Sequence, residues 1–424
     1  MLLDSRPVPQ LNTTQVEPLQ TLEQHFLAHC EDIKKWFQTE WQRTAPPVYG
    51  SVDLRNAGFK LAPIDMNLFP AGFNNLNPDF LSLSAEAAKK TLLNAAPNAK
   101  KILIIPESHT RNLYYWENVR LLQKTLEMAG FEVRFGIISD EIKSQQTIDL
   151  PSGHTVTVAP LQRENDWLKV DGFKPDIALL NNDLSDGIPD ILQNLAHPLM
   201  PPAELGWSQR LKSEHFQYYA EVTTEFAKKM RIDPWLIAPL FRKCGQIDFM
   251  QQEGLECLIS NAERLFVEIK KKYDEYHIAQ QPFLIIKADA GTYGMAVMTV
   301  RNVDELRTLN RKQRTRMATI KGGQPVRQVI IQEGVYTFET FGEEQAVAEP
   351  VVYLWGECVV GGFYRVHKER GTDENLNAPG MQFEPLPFQQ SCNEPCDARF
   401  YLYGIIAQLS MLAAAREIHD QVKK

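Results

Sequence analysis

Strands and helices alternate through the first half of this chain, and that alternation limits its fold more than any other feature. Residues 101–107 (KILIIPE) form an apolar run of strand length. Residues 110–130 (TRNLYYWENVRLLQKTLEMAG) read as a helix that stops at Gly130, a residue suited to the left-handed position after a helix. Residues 131–138 (FEVRFGII) return to strand, and 155–160 and 176–183 read as further strands. Strand–helix–strand order predicts an α/β region built on a doubly wound parallel sheet. Ligands in such sheets bind beyond the strand C-termini, where Glu107, Ser108, His109, Asn181, Asn182 and Asp183 fall.

The second half has a different pattern. Residues 208–230 and 256–280 read as long helices, followed by strands at 283–290, 295–300, 327–335, 350–355 and 357–367. A last helix covers about 399–418. The boundary is expected near residue 200, where PLMPPAELG breaks the pattern, giving an α/β region at 1–200 and an α+β region at 201–424. Residues 1–20 read as a loose arm, and 21–41 as one amphipathic helix. Residues 45–82 show no clear periodicity and read as a long functional loop.

Composition narrows the function classes. The formal net charge of -8 disfavours a general nucleic-acid binder, because a phosphate backbone attracts basic surfaces. The longest apolar stretch, near 402–415, is too short for a bilayer and carries Gln408 and Ser410, so it reads as a buried helix and no membrane partner is expected. No basic segment leads into an apolar run at the start, so a secretory leader is not expected. Six scattered cysteines fit reduced thiols in a cytoplasm. His25, His29 and Cys30 lack a fourth metal ligand and read as ordinary packing. Cys392 and Cys396 have no second pair, and the basic run from Arg307 to Lys321 reads as one solvated helix face. A homo-oligomer is left open.

Three segments can carry chemistry. In FLIIKADAGTYGMAVMTV (283–300), Lys287 ends a strand, and Gly291 and Gly294 leave backbone amides open to an anion. The plain alternative is a hairpin with a surface lysine. In RQVIIQEGV (327–335), a strand ends at Glu333, where backbone groups suit an adenine and a carboxylate suits a ribose. In 349–380 a hairpin turns at Trp355, Gly356 and Glu357 and delivers Arg365 and His367; Asp373, Glu374, Asn375 and Asn377 follow in a loop. Oxygen ligands of this kind suit Mg2+ alongside nucleotide phosphates, and Arg365 can clamp a transferring phosphoryl group.

Taken in order, these segments resemble the ATP-grasp ligases, and NLNAPGMQFEPL resembles the Asn-Leu-x-x-Gly loop of their glutathione-synthetase-like members. More closely, the chain resembles the proteobacterial glutamate–cysteine ligase family. SVDLRNAGFKLAPIDMNLFPAGFNNL, ILIIPESHTRNLYYWENV, IIKADAGTYGMAV and YRVHKERGTDENLNAPG carry the likeness, across about residues 45–420. The resemblance implies a pre-ATP-grasp-like N-terminal region and an ATP-grasp-like C-terminal region. It also implies ATP-dependent joining of the glutamate side-chain carboxylate to the cysteine amine, the first step of glutathione synthesis. Lys287 and Lys212 then match phosphate lysines, Gly291 and Gly294 a glycine lid, and Glu333 the nucleotide hinge. Arg365 matches the transition-state arginine and Asn375 the loop asparagine. The usual late Glu-x-Asn metal motif is absent, which leaves Glu349, Glu374 and Asn377 as candidate Mg2+ ligands. Arg55, Asn56, Lys60 and Arg111 are the candidates for holding amino-acid substrates. A related ligase with another acceptor, or a nucleotide-binding protein without turnover, are the alternatives.

Overall fold

The computed structural model describes residues 9–108, 111–139, 141–291, 295–320, 323–386 and 398–422. The fold is mixed α/β with several sheets. The expected parallel sheet is present. Its strands run in the order Leu199–Met200, Ile177–Asn181, Lys101–Pro106, Glu132–Ile137 and Thr155–Pro160, and Gln146–Asp149 adds an antiparallel edge. Continuous apolar runs such as KILIIP fit strands covered on both faces; Ile102, Leu103, Ile104 and Ile105 are all fully buried. The helix Leu113–Met128 starts at Asn112, whose side chain accepts from the Tyr114 amide, and Gly130 follows it at φ +96°.

A second, antiparallel sheet has the order Phe241–Gly245, Gln328–Glu333, Leu284–Ala288 and Val297–Val300. The helix Leu255–Glu275 presents Leu258, Ala262, Leu265, Ile269 and Tyr273 to the same apolar core as this sheet, the i, i+4, i+7 spacing of one helical face.

The central sheet corrects two expectations. Residues 45–82 are not a long loop: Tyr49–Asn56 and Leu61–Asn67 are paired antiparallel strands turning at Gly58, whose φ is +73°. A Cβ at Gly58 would lie 2.4 Å from the Thr13 Cγ2. Apolar alternation fails here because one face of the hairpin carries Asp53, Arg55 and Asp65 into a cleft while the other is covered by the core. This hairpin also crosses the expected boundary near residue 200. Tyr49–Asn56 pairs with Ala346–Trp355 in the register Asp53↔Val351, and the same sheet takes in Glu339–Phe341, Cys358–His367 and Gln382–Pro385.

The single helix expected at 21–41 is two, Glu17–Ala28 and Cys30–Arg43, separated at His29. The last helix, Ala398–Val422, is buried in the middle of the molecule from Leu402 to Ala407 and from Leu409 to Ala415. Its Glu417 receives Arg210 through both oxygens, at 2.8 and 2.9 Å, with both side chains buried. Burial opposes the Glu417 charge, but Arg210 outweighs it and brings the pKa down to about 2. The basic run is split: Arg307 ends the turn Asp304–Arg307, and Arg311–Ala318 is a separate, mostly exposed helix. Among the described residues no helix is long and apolar enough to cross a membrane.

Candidate active site

The three sheets meet at a cleft of about 430 Å³. The parallel sheet contributes Asn181 from the end of one strand and Glu107 and Asp183 from just beyond strand ends. The central sheet contributes Asp53, Arg55, Asp65, Glu349 and Arg365, and the antiparallel sheet Ile285, Lys287, Val297 and Gln332. Lys212, at the start of the helix Lys212–Met230, and Trp207 complete one wall. Lys287 and the Arg365–Asn377 cluster therefore face one shared cleft.

Its charges form a ladder. Glu349 is buried between two guanidiniums: Arg55 Nε donates to its Oε2 at 2.9 Å and Arg365 Nη1 to its Oε1 at 2.5 Å. The Arg365 Nη1 also donates to Asp53 Oδ2 at 2.8 Å. Burial works against the Arg365 charge, but Asp53 and Glu349 outweigh it and hold its pKa above the ordinary arginine value. Burial raises the Asp53 pKa, and Arg365 only partly offsets it. Arg55 Nη1 donates to the Val335 carbonyl at 3.3 Å, and its Nη2 donates to the Glu374 carbonyl. One arginine thus ties the hairpin to the segment that follows the strand Gln328–Glu333 and to the 371–377 loop.

The second group is cationic. Lys212 Nζ lies 3.2 Å from Asp65 Oδ1 and 3.6 Å from the centre of the Trp207 ring. Burial opposes the Asp65 charge, yet Lys212 and Lys287 hold its pKa below the usual carboxylate value. Lys287 Nζ donates to the Ile64 carbonyl at 2.7 Å and to Gln332 Oε1 at 3.0 Å. Burial brings the Lys287 pKa down to about 8, against the pull of Asp65. Lys212 and Lys287 act together on this wall, so a phosphate placed beside them would meet two cations.

Of the residues singled out in the sequence, Arg55, Lys212, Lys287, Gly291, Glu333, Glu349, Arg365, Asn375 and Asn377 line this cleft. Gly291 has φ +103° and donates its amide to the Trp207 carbonyl at 3.1 Å. Gly294, like His109, Cys392 and Cys396, lies outside the described residues. Four candidates lie elsewhere. Asn56 is buried and donates to Glu339 Oε1 at 3.1 Å. Lys60 is buried on Glu333 Oε2 at 2.7 Å and over the Trp235 ring. Arg111 is exposed and outside the cleft lining. Glu374 points its Oε2 at the Gly371 amide, 2.7 Å away.

The Glu333 carboxylate is also committed inward, because Lys60, the Trp235 Nε1 at 3.1 Å and the Leu240 amide at 2.8 Å use both its oxygens. A ribose contact from that carboxylate would require breaking a buried pair. Nor do the candidate metal ligands form a cluster. Both Glu349 oxygens are held by arginines, and among the described residues no three His, Cys, Asp or Glu side chains are grouped to hold a metal. Asp53, Asp65 and Trp207 were missed in the sequence. The available signal was charge inside otherwise apolar strand segments, SVDLR and APIDM, where a carboxylate persists only with a partner.

A family model for glutamate-cysteine ligase matches residues 23–418. The chain is 50% identical to a crystal structure from Methylobacillus flagellatus KT assigned as gamma-glutamylcysteine synthetase, with a TM-score of 0.91 over 98% of this chain and 100% of that one. A glutathione synthetase-like effector from Globodera pallida shares 13% identity at a TM-score of 0.38, covering 85% of this chain and 81% of that one. D-alanyl-alanine synthetase A from Vibrio cholerae shares 12% identity at 0.29, covering 55% and 60%. Neither of these distant likenesses bears on the fold. No curated protein sequence matches the chain. A match across nearly the whole length, with half of all positions identical to a solved relative, makes this chain a member of the glutamate–cysteine ligase family.

Proposed function

We propose that the cleft joins the glutamate side-chain carboxylate to the cysteine amine with ATP as the energy source, through an acyl phosphate. One observation carries this reading: Lys212, Lys287, Arg365 and Arg55 line a single cleft together with carboxylates and amides. A carboxylate acylates an amine poorly. Its oxygen therefore attacks the terminal phosphorus of ATP, and ADP leaves. The amine then attacks the acyl carbon, inorganic phosphate leaves, and an amide forms.

In this reading Lys212 and Lys287 take the phosphates, and Arg365 neutralises charge on the transferring group. Catalysis of this kind is mostly positioning and electrostatics. Arg55, held rigidly by Glu349, orients a substrate carboxylate. Asp53, its pKa raised by burial, is suited to take a proton from the cysteine ammonium and so free the amine lone pair that attacks. The backbone at Glu333 to Val335 forms the adenine hinge, while the Glu333 carboxylate keeps that hinge in place through Lys60. Gly291 lies in the cleft wall, where exclusion of water would protect the acyl phosphate. An ATP-grasp-like nucleotide region within 201–424 and an amino-acid region within 1–200 complete the scheme, with the 49–67 hairpin serving both. Mg2+ would neutralise the phosphates, with Asn375 and Asn377 beside them. Glu349, paired with Arg55 and Arg365 through both oxygens, is not available to it.

Purified protein with glutamate, cysteine, ATP and Mg2+ is expected to release ADP and phosphate in step with γ-glutamylcysteine. ADP release that ignores both amino acids, or that needs another acceptor amine, overturns the assignment.

A further inference from the structure

Gln332 lies in the cleft wall with one side-chain atom accounted for and the other not. It is 1% exposed. Its Oε1 accepts from the Lys287 Nζ at 3.0 Å, whereas its Nε2 is buried and finds no hydrogen-bond partner among the described residues. The amide cannot be turned around to remove the orphan. A lysine ammonium only donates, so the amide oxygen must face Lys287 and the NH2 group must face the other way. A buried donor without an acceptor is costly. What completes it must therefore present an acceptor atom, which rules out a cation or another donor.

The register says what kind of acceptor. Gln332 pairs directly with Ile285, and Lys287 with Val297. Alternate residues of a strand share a face, so Ile285, Lys287, Val297 and Gln332 lie side by side, and all four line the cleft. Ile285 and Val297 make this part of the wall apolar, which suits the face of a flat ring, and the Gln332 side chain lies next to them beside the proposed phosphate lysine. In a purine nucleotide the ring edge nearest the phosphates is the imidazole edge, and its acceptor is N7.

We infer that Gln332 reads N7 of a bound purine nucleotide through its side-chain Nε2, while its Oε1 holds Lys287. This rests on the reading of the cleft as an ATP site, and it adds a residue that would separate purine from pyrimidine nucleotides. The test is calorimetric titration of the full chain with ADP and with 7-deaza-ADP, in which a C–H replaces N7. The wild-type protein is expected to bind ADP about tenfold tighter, the size of one buried hydrogen bond. Gln332→Met, which keeps the bulk and removes the donor, is expected to bind both nucleotides alike. Gln332→Glu, which keeps an acceptor toward Lys287 but has no amide donor, is expected to behave the same way and replaces the Met variant if that one fails to fold. Equal binding of the two nucleotides by wild type, or a tenfold preference surviving in either variant, overturns the role of Gln332 alone. Failure of wild type to bind either nucleotide overturns the nucleotide-site reading with it.

Discussion

A lysine with a pKa near 8 is a charge that ordinary buffers can remove. Lys287 is protonated below that value and loses its charge above it, so its attraction for phosphate weakens as pH rises. We predict that kcat/KM for ATP falls above about pH 8, a parameter that reports free-enzyme ionisations. A profile flat from pH 7 to 9.5 would remove Lys287 from phosphate binding. Lys287, Arg365 and Asn375 were legible in the sequence because each ends or follows an apolar strand next to glycine or amide-rich turns. Lys60 and Asn56 misled because a polar residue in a segment read as a long functional loop reads as a ligand contact. In fact Lys60 neutralises Glu333 and Asn56 supports Glu339, buried jobs that depend on partners more than 270 positions away. No local pattern can report such a partner.

The strand Glu339–Phe341 raises a related issue at the scale of an element. Glu339 is fully buried; burial lifts its pKa to about 7, and Arg399, Tyr403 and Asn56 only partly counter this. In the folded state it therefore holds its proton up to about pH 7, whereas in the unfolded chain it loses it near 4.5. Stability then declines as pH rises from 4.5 through 7, by about 3 kcal/mol in total. Glu339→Gln keeps an oxygen for Tyr403 and Asn56 and removes this slope. Thermal unfolding should show the variant gaining on wild type between pH 5 and 8; parallel curves would refute it. Helices and apolar strands were legible at this scale because their cores follow period 3.6 or run unbroken. The Tyr49–Asn56 and Leu61–Asn67 hairpin was not, because its cleft-facing side carries Asp53, Arg55 and Asp65 where a sheet normally places apolar residues.

At the scale of the whole molecule, the N-terminal hairpin is an integral part of the C-terminal sheet. The strand Ala346–Trp355 pairs with Tyr49–Asn56, and removing the hairpin leaves its long apolar edge bare. A fragment of residues 201–424 made alone is expected to lack a cooperative thermal transition. A sharp transition with native-like circular dichroism would show that the half folds by itself. The change of pattern near 200 was visible in the sequence, but a ladder linking positions nearly 300 residues apart leaves no trace in local periodicity. That same ladder sets the order of events during synthesis. The hairpin leaves the ribosome early, yet its partner strand follows only after most of the chain has been made, and the buried helix Ala398–Val422 later still. Until then the hairpin has no partner for its Tyr49–Asn56 edge, so this sheet can close only once most of the chain has been made.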